Sequence, residues 1–351
     1  MEKKTTDTCV FVNVTQLWEN SRLLITDEFS MPPIILRIYD SIIGTLGNFS
    51  ASTGKAKSKK TFNICAIVAA ALTNGTILNY TAILPPDKRK ILYIDTEQSP
   101  FHCKRVLRCI ISLAELPQNV QPDNLEFLCL RRYSPKVRAE IIQEAIYNIS
   151  GLGLVIIDGL RDLAYDINSP GESTELITKL MQWTDELQIH IHTVLHQNKG
   201  DDNTRGHLGT ELNNKAETVL QICKDEQDKN ISRVSATCIR HIDFEPFAFQ
   251  ISEKGLPELI EGYQPRQIAS PKGFDYQEVS ELKHREALEH LFTDSEFISY
   301  SLLIPKLKEA YCRIGYSFGT NKAKLLKTFL ENKRMIVKEG KSYRYNPDFH
   351  Y

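Results

Sequence analysis

Several features that would assign a class by themselves are missing from these 351 residues. None of the eight cysteines forms a C-x-x-C pair, and several sit inside apolar runs, so neither a zinc site nor a disulfide framework is indicated. Charge of one sign is also missing: the net charge is −1, which excludes a global field that would dictate a partner. The longest apolar run, Ile64 to Leu72, is too short to span a bilayer and reads as a buried helix. The start, MEKKTTDTCVFVNV, has no apolar core of the signal-peptide kind, so the expectation is a cytoplasmic protein without a membrane partner.

What is present is alternation. Apolar segments read as strands are IIGTLGNFSAS, KILYIDTE, LEFLCL, GLVIIDG, IHIHTVLHQ, AETVLQICK and SRVSATCIR. Helical periodicity covers Thr61 to Thr73, His102 to Ala114, Val137 to Ile149 and Glu172 to Gln188. Near-continuous apolar strands separated by such helices predict an α/β fold, a mostly parallel sheet with helices on both faces. Residues 1–40 form an N-terminal segment, 41–260 the sheet domain and 261–282 a linker rich in Pro, Gly and Ser. In 283–351 three helices precede a hairpin turning at Glu339-Gly340, the order of a winged helix-turn-helix.

The stretch TGKAKSKKTFNICAIVAAAL poses a question of register. Gly54-Lys55 looks like the Gly-Lys of a phosphate-binding loop, but Ala56 has no hydroxyl for a metal. Counted from Gly54, the loop reads Gly54, Lys55, Ala56, Lys57, Ser58, Lys59, Lys60, Thr61. Every element of G-x-x-x-x-G-K-[ST] is then in place except the second glycine, which is Lys59. Lys60 would reach β- and γ-phosphates, Thr61 would offer a hydroxyl to magnesium, and the helix N-terminus would face the anion. The plainer alternative is a basic loop ahead of a core helix.

Two apolar strands end in acids: KILYIDTEQ at Asp95 and Glu97, and GLVIIDGLRDL at Asp158. Asp158 is placed to orient a metal through water, and Glu97 to polarise an attacking water as general base. The next strand ends at His196-Gln197, polar groups placed to sense a terminal phosphate. The polar loop NKGDDNT then leads to Arg205, either a solvated arginine or one serving a neighbouring subunit. His190 and His192 have no acidic partner in the strand and read as structural.

The order TGKAKSKKT, LYIDTEQ, VIIDGLRDL, VLHQNKG, TRGHLGT resembles the RecA-like ATPases, in particular the RepA-type hexameric helicase branch and the AAA-family ATPases of mobile elements and prophages. The resemblance covers roughly 42–250 and implies ATP and Mg2+ as ligands. It implies Lys60 and Thr61 as the loop's lysine and hydroxyl, Glu97 as catalytic glutamate and Asp158 as metal aspartate. His196 or Gln197 would be the sensor and Arg205 the arginine lent to an adjacent subunit of a homo-oligomer, a hexamer in that branch. The departures are Lys59 for glycine, and His207-Leu208 where small hydroxyl residues usually follow Arg-Gly.

Residues 283–351 carry a net +5, concentrating positive charge at this end. Lys322, Lys324 and Lys327 on the third helix, with Lys341 and Arg344 on the hairpin, would track a DNA backbone, with Leu325, Leu326, Phe329 and Leu330 packing inward. Base reading would fall chiefly to Asn321. A protein-interaction role for the same module stays open. The readings that result are an ATP-hydrolysing, DNA-associated motor or switch, helicase-like, or else a nucleotide-gated DNA-binding regulator with little hydrolysis. A kinase-like transferase is a third, weaker option, because no acceptor site or lid is visible.

Overall fold

The computed structural model describes residues 13–198, 204–225, 228–263 and 274–348. Two compact units result, Met1–Pro265 and Arg266–Tyr351.

The first unit opens with a short helix, α1 (Val14–Asn20), then β1 (Ile34–Ile38), β2 (Ser41–Thr45) and β3 (Phe49–Gly54). The long helix α2 (Lys60–Thr73) leads to a small hairpin, β4 (Thr76–Ile77) and β5 (Tyr80–Ala82). Strand–helix alternation follows: β6 (Lys90–Asp95), α3 (Pro100–Leu113), β7 (Leu125–Cys129), α4 (Pro135–Asn148), β8 (Leu152–Asp158), α5 (Pro170–Leu187) and β9 (His190–His196). The unit ends with α6 (Gly206–Lys215), β10 (Thr218–Lys224), β11 (Ile231–Ile239), β12 (Phe247–Ile251) and β13 (Pro257–Leu259).

Nine strands form one sheet in the order β13-β12-β11-β10-β3-β9-β8-β6-β7. The six from β10 to β7 are parallel, and β11 to β13 extend them antiparallel. Side chains alternate between two cores, as the pleat requires. Ile91, Tyr93, Leu154 and Ile156 pack with α2 and α3, whereas Leu92, Ile94, Val155 and Ile157 pack with α4, α5 and α6. The alanine-rich α2 is buried on almost every side, because the four-stranded sheet β2-β1-β5-β4 covers the side turned from the large one.

Two differences from the sequence reading have local causes. The segment IIGTLGNFSAS is two strands, because the chain turns at Leu46-Gly47 with Gly47 at φ 83°, so β2 pairs with β1 and β3 enters the large sheet. Helices α3, α4 and α5 each begin two residues early, at Pro100, Pro135 and Pro170 behind Ser99, Ser134 and Ser169. Proline fits the first helical position, where no N–H is needed, and Ser169 Oγ accepts from the Glu172 N–H at 3.4 Å.

The second unit contains α7 (Glu281–Phe292), β14 (Ile298–Ser299), α8 (Tyr300–Arg313), α9 (Thr320–Asn332), β15 (Ile336–Glu339) and β16 (Ser342–Tyr345). Its antiparallel sheet runs β14-β16-β15. Leu288, Leu303, Leu307, Tyr311, Leu326 and Leu330 fill its core. Leu325, expected to pack inward, is 55% exposed, because the burial stripe of α9 passes through Ala323, Leu326 and Leu330 instead.

Candidate active site

Register brings the site residues to one end of the sheet. Gly54 lies opposite His196 across β3 and β9, and Asp95 opposite Asp158 across β6 and β8. Strand β9 separates β3 from β8, so the strand carrying Asp158 is not the immediate neighbour of the loop's strand. His196 consequently stands between the loop and both acids.

The loop 55–59 wraps onto the start of α2. Lys59 caps the helix with φ 67° and ψ 29°, and Lys57 has φ 63°. Left-handed residues in alternation turn successive N–H groups to one side, which makes a concave anion seat. The Lys59 side chain makes no capping bond to α2, so the first N–H groups of the helix are left to an anion. The position that carries glycine in the consensus therefore does demand a positive φ, and Lys59 meets it at a steric cost. Its ammonium reaches the Asn230 carbonyl in the turn between β10 and β11. Gly54 has no alternative, because a Cβ there would stand 2.3 Å from the Ile222 carbonyl oxygen.

Lys60 Nζ donates to the carbonyls of Gly54 at 2.9 Å and Lys55 at 3.0 Å, and to His196 Nδ1 at 3.1 Å. Because Nδ1 accepts, Nε2 keeps the proton, and it faces Glu97 Oε1 at 3.5 Å. A relay Lys60–His196–Glu97 results. Burial pulls the Lys60 ammonium down to about 8, against the opposing charges of Asp158 and Glu97. The hydrogen bond from His196 holds the Glu97 carboxyl below its ordinary range.

Thr61 Oγ1 donates to Asp158 Oδ2 at 3.2 Å, and Tyr93 OH donates to the same oxygen at 2.9 Å. Burial, reinforced by the nearby charge of Asp95, pushes the Asp158 carboxyl up to about 6. Asp95 accepts from the N–H groups of Glu97 at 3.0 Å and Gln98 at 2.7 Å, which fixes the turn presenting Glu97. Thr96 Oγ1 ties that turn to Gly159 O at 3.0 Å and Asp162 Oδ2 at 3.0 Å.

A cavity of about 620 Å³ opens onto Ser58, Lys60, Thr61, Glu97, Asp158 and His196. It continues between α2 and α3 past Phe62, Cys65, His102, Arg105, Val106 and Cys109, towards Ile251 and Gly255. Those α3 residues recur at i, i+3, i+4 and i+7, a spacing contained in the helical periodicity of His102 to Ala114, which by itself marks no site. Ser58 Oγ is buried without a hydrogen-bond partner among the described residues. An unused donor there, beside uncapped helix N–H groups and a lysine held only by neutral acceptors, suits a triphosphate. The hydroxyl–carboxylate pair Thr61–Asp158 suits a magnesium ion, an oxygen-seeking cation.

Other expected residues lie outside the cavity. Gln197 is buried, its N–H donating to Gly54 O at 3.1 Å. Arg205 is exposed at the start of α6, its N–H bonded to His196 O at 3.2 Å. Residues 199–203 of the polar loop before it lie outside the described residues. His190 and His192 are fully buried at the β3–β9 pairing: Ser50 Oγ lies 2.7 Å from both rings, and Ser52 Oγ 2.8 Å from His192. Burial takes His192 down to about 3, so it stays neutral.

In the second unit, Lys324 and Lys341 are exposed, and Lys322 lies over the Tyr276 ring. Two expected DNA contacts are committed elsewhere. Lys327 pairs with Glu331 at 2.7 Å over the Tyr343 ring, and Arg344 pairs with Glu339.

A lysine on a phosphate-type loop, a hydroxyl–carboxylate pair and a carboxylate one strand further on define a P-loop nucleotide site. A family model described as an AAA domain matches residues 26–202, half of the chain, and the chain belongs to that family of ATPases. No curated protein matches the chain. Among solved structures, the RadB recombinase aligns at TM-score 0.42 and 13% identity, over 60% of this chain and 90% of that one.

Proposed function

We propose that the chain is a RecA-like, ATP-hydrolysing motor or switch that works on DNA as a homo-oligomer, helicase-like, in replication or mobilisation of a mobile element. One observation carries the hydrolytic part: the Lys60–His196–Glu97 relay and the Thr61–Asp158 pair converge on one cavity.

In this reading the loop N–H groups and Lys60 hold the β- and γ-phosphates of ATP. Thr61 and Asp158 would hold magnesium, which when bound neutralises charge on the phosphate oxygens. Taking the phosphate, Lys60 leaves His196, whose Nε2–H then fixes Glu97 as an acceptor for the proton of the attacking water. His196 thus reports phosphate occupancy to the base. The exposed Arg205 is available to a neighbouring subunit's nucleotide. The second unit is read as a winged helix, with Lys322, Lys324 and Lys341 facing a phosphate backbone.

ATP turnover measured with and without single-stranded DNA tests this. Glu97→Gln should lower turnover by about 10²-fold or more while leaving ATP affinity unchanged, as loss of a general base requires. Wild-type turnover near zero, unaltered by that substitution, would instead favour a nucleotide-gated DNA-binding regulator.

A further inference from the structure

The phosphate-loop consensus specifies no residue at its fourth position, and here that position is Lys57. The backbone there is unusual. The Ser58 N–H donates to the Lys55 carbonyl at 3.2 Å, closing a turn over 55–58 with Lys57 in its third place. Lys57 has φ 63°, and the left-handed third place of such a turn ordinarily takes glycine or asparagine. A lysine in that conformation carries a steric cost that glycine would not.

The loop's two left-handed lysines differ in what their side chains do. The Lys59 ammonium binds the Asn230 carbonyl and so anchors the loop. Lys57 is exposed, and its ammonium enters no hydrogen bond or ion pair among the described residues. Strain that secures no contact within the fold points outward, to a ligand. Lys57 lines the nucleotide cavity with Ser58, Lys60 and Thr61, and the carboxylates Glu97 and Asp158 line the same space. Both acids repel a triphosphate. Phosphoryl transfer develops further negative charge, so such a site gains from more cations than the motif's single lysine.

We propose that Lys57 is a second catalytic cation of the nucleotide site: its ammonium contacts the phosphates that Lys60 of the same chain holds, and stabilises the charge that develops on them during hydrolysis. The chain thereby supplies from its own loop charge of the kind an arginine supplies in other phosphoryl-transfer sites. Lys57 lines the cavity of its own loop and so acts within one subunit, whereas Arg205 lies outside that cavity. This assignment rests on the nucleotide reading above and extends it to a side chain that the motif leaves open.

Three variants separate charge from backbone. Lys57→Gly and Lys57→Asn suit the left-handed turn but remove the charge, whereas Lys57→Arg keeps both charge and strain. Affinity for a non-hydrolysable ATP analogue should fall about tenfold in the first two, through loss of one charge-assisted bond, and stay within about threefold of wild type in the third. Turnover should fall about 10²-fold in the same two, with Tm no lower than that of the wild type. Gly and Asn variants within about twofold of wild type in affinity and turnover overturn the assignment. So does a loss accompanied by a lower Tm, or an Arg variant as weak as the other two. Mixing Lys57→Gly with Glu97→Gln chains tests the subunit. Turnover that stays at the sum of the separate variants supports action within one chain, and a gain on mixing overturns it. A wild type that binds the analogue without turnover leaves the affinity order to decide. A wild type that binds no analogue overturns the nucleotide site and this assignment with it. Normal wild-type turnover with an unaltered Lys57→Gly overturns this assignment alone.

Discussion

Lys59 sits where the phosphate loop needs a left-handed residue. An L side chain in that conformation costs about 1–2 kcal/mol, whereas glycine pays roughly 0.5–1 kcal/mol in lost chain freedom. The steric term is the larger, so Lys59→Gly should be more stable than Lys59→Ala, which lacks the same contact, by about 0.5–1 kcal/mol, a few degrees in Tm. Lys59→Ala keeps the strain and loses the contact to the Asn230 carbonyl, so it should gain nothing. Thermal melting of the two variants checks this, and equal Tm values would show that the strain is relieved elsewhere. The loop's register was legible because Lys60 and Thr61 are neighbours in sequence. The relay was not, because Lys60 and His196 are 136 residues apart and meet only through the pairing of β3 with β9.

At the scale of elements, strands β3, β6, β8 and β9 bury both the cation and the metal-side acid, and burial displaces each towards its neutral form. Lys60, near 8, is charged below that pH and loses its proton above it. Asp158, near 6, is ionised above that pH and gains a proton below it. A triphosphate needs the first charged and a magnesium ion needs the second ionised. Affinity for the magnesium nucleotide should therefore be greatest between about 6 and 8. Each limb should approach a tenfold loss per pH unit, the slope for one linked proton. Isothermal titration in two buffers of different ionisation heat should also show proton uptake on binding above pH 8. A flat profile across that range would mean that Lys60 does not contact the bound phosphate.

The parallel strands were readable because β6 and β8, of six and seven residues, are near-continuous apolar runs, and β9 intersperses Ile191, Val194 and Leu195 among histidines. Strands β4, β5 and β14, two or three residues each, offer no periodicity, and tertiary pairing alone defines them. Helix α6 was missed because GHLGTELNNK contains two glycines and two asparagines, poor helix formers held in place by the buried Leu208 and Leu212.

Over the whole molecule, charge is divided unevenly: 283–351 carries +5 within a chain of −1. A count of basic residues on α9 and its hairpin overstates what a phosphate backbone would meet, since Lys327 and Arg344 already have carboxylate partners. That distinction lies in side-chain geometry, invisible to a charge count, and it separates two kinds of variant. Lys324→Ala and Lys341→Ala should weaken DNA binding equally across sequences, each lowering the slope of log affinity against log salt by about one, with no change in Tm. Lys327→Ala leaves Glu331 unpaired and uncovers the Tyr343 ring, so it should lower Tm with a smaller effect on the slope. Fluorescence anisotropy of labelled DNA over a salt series measures the slopes, and scanning calorimetry the stabilities. A slope unmoved by Lys324→Ala and Lys341→Ala would remove DNA as the ligand of this face and leave its basic surface to a protein partner.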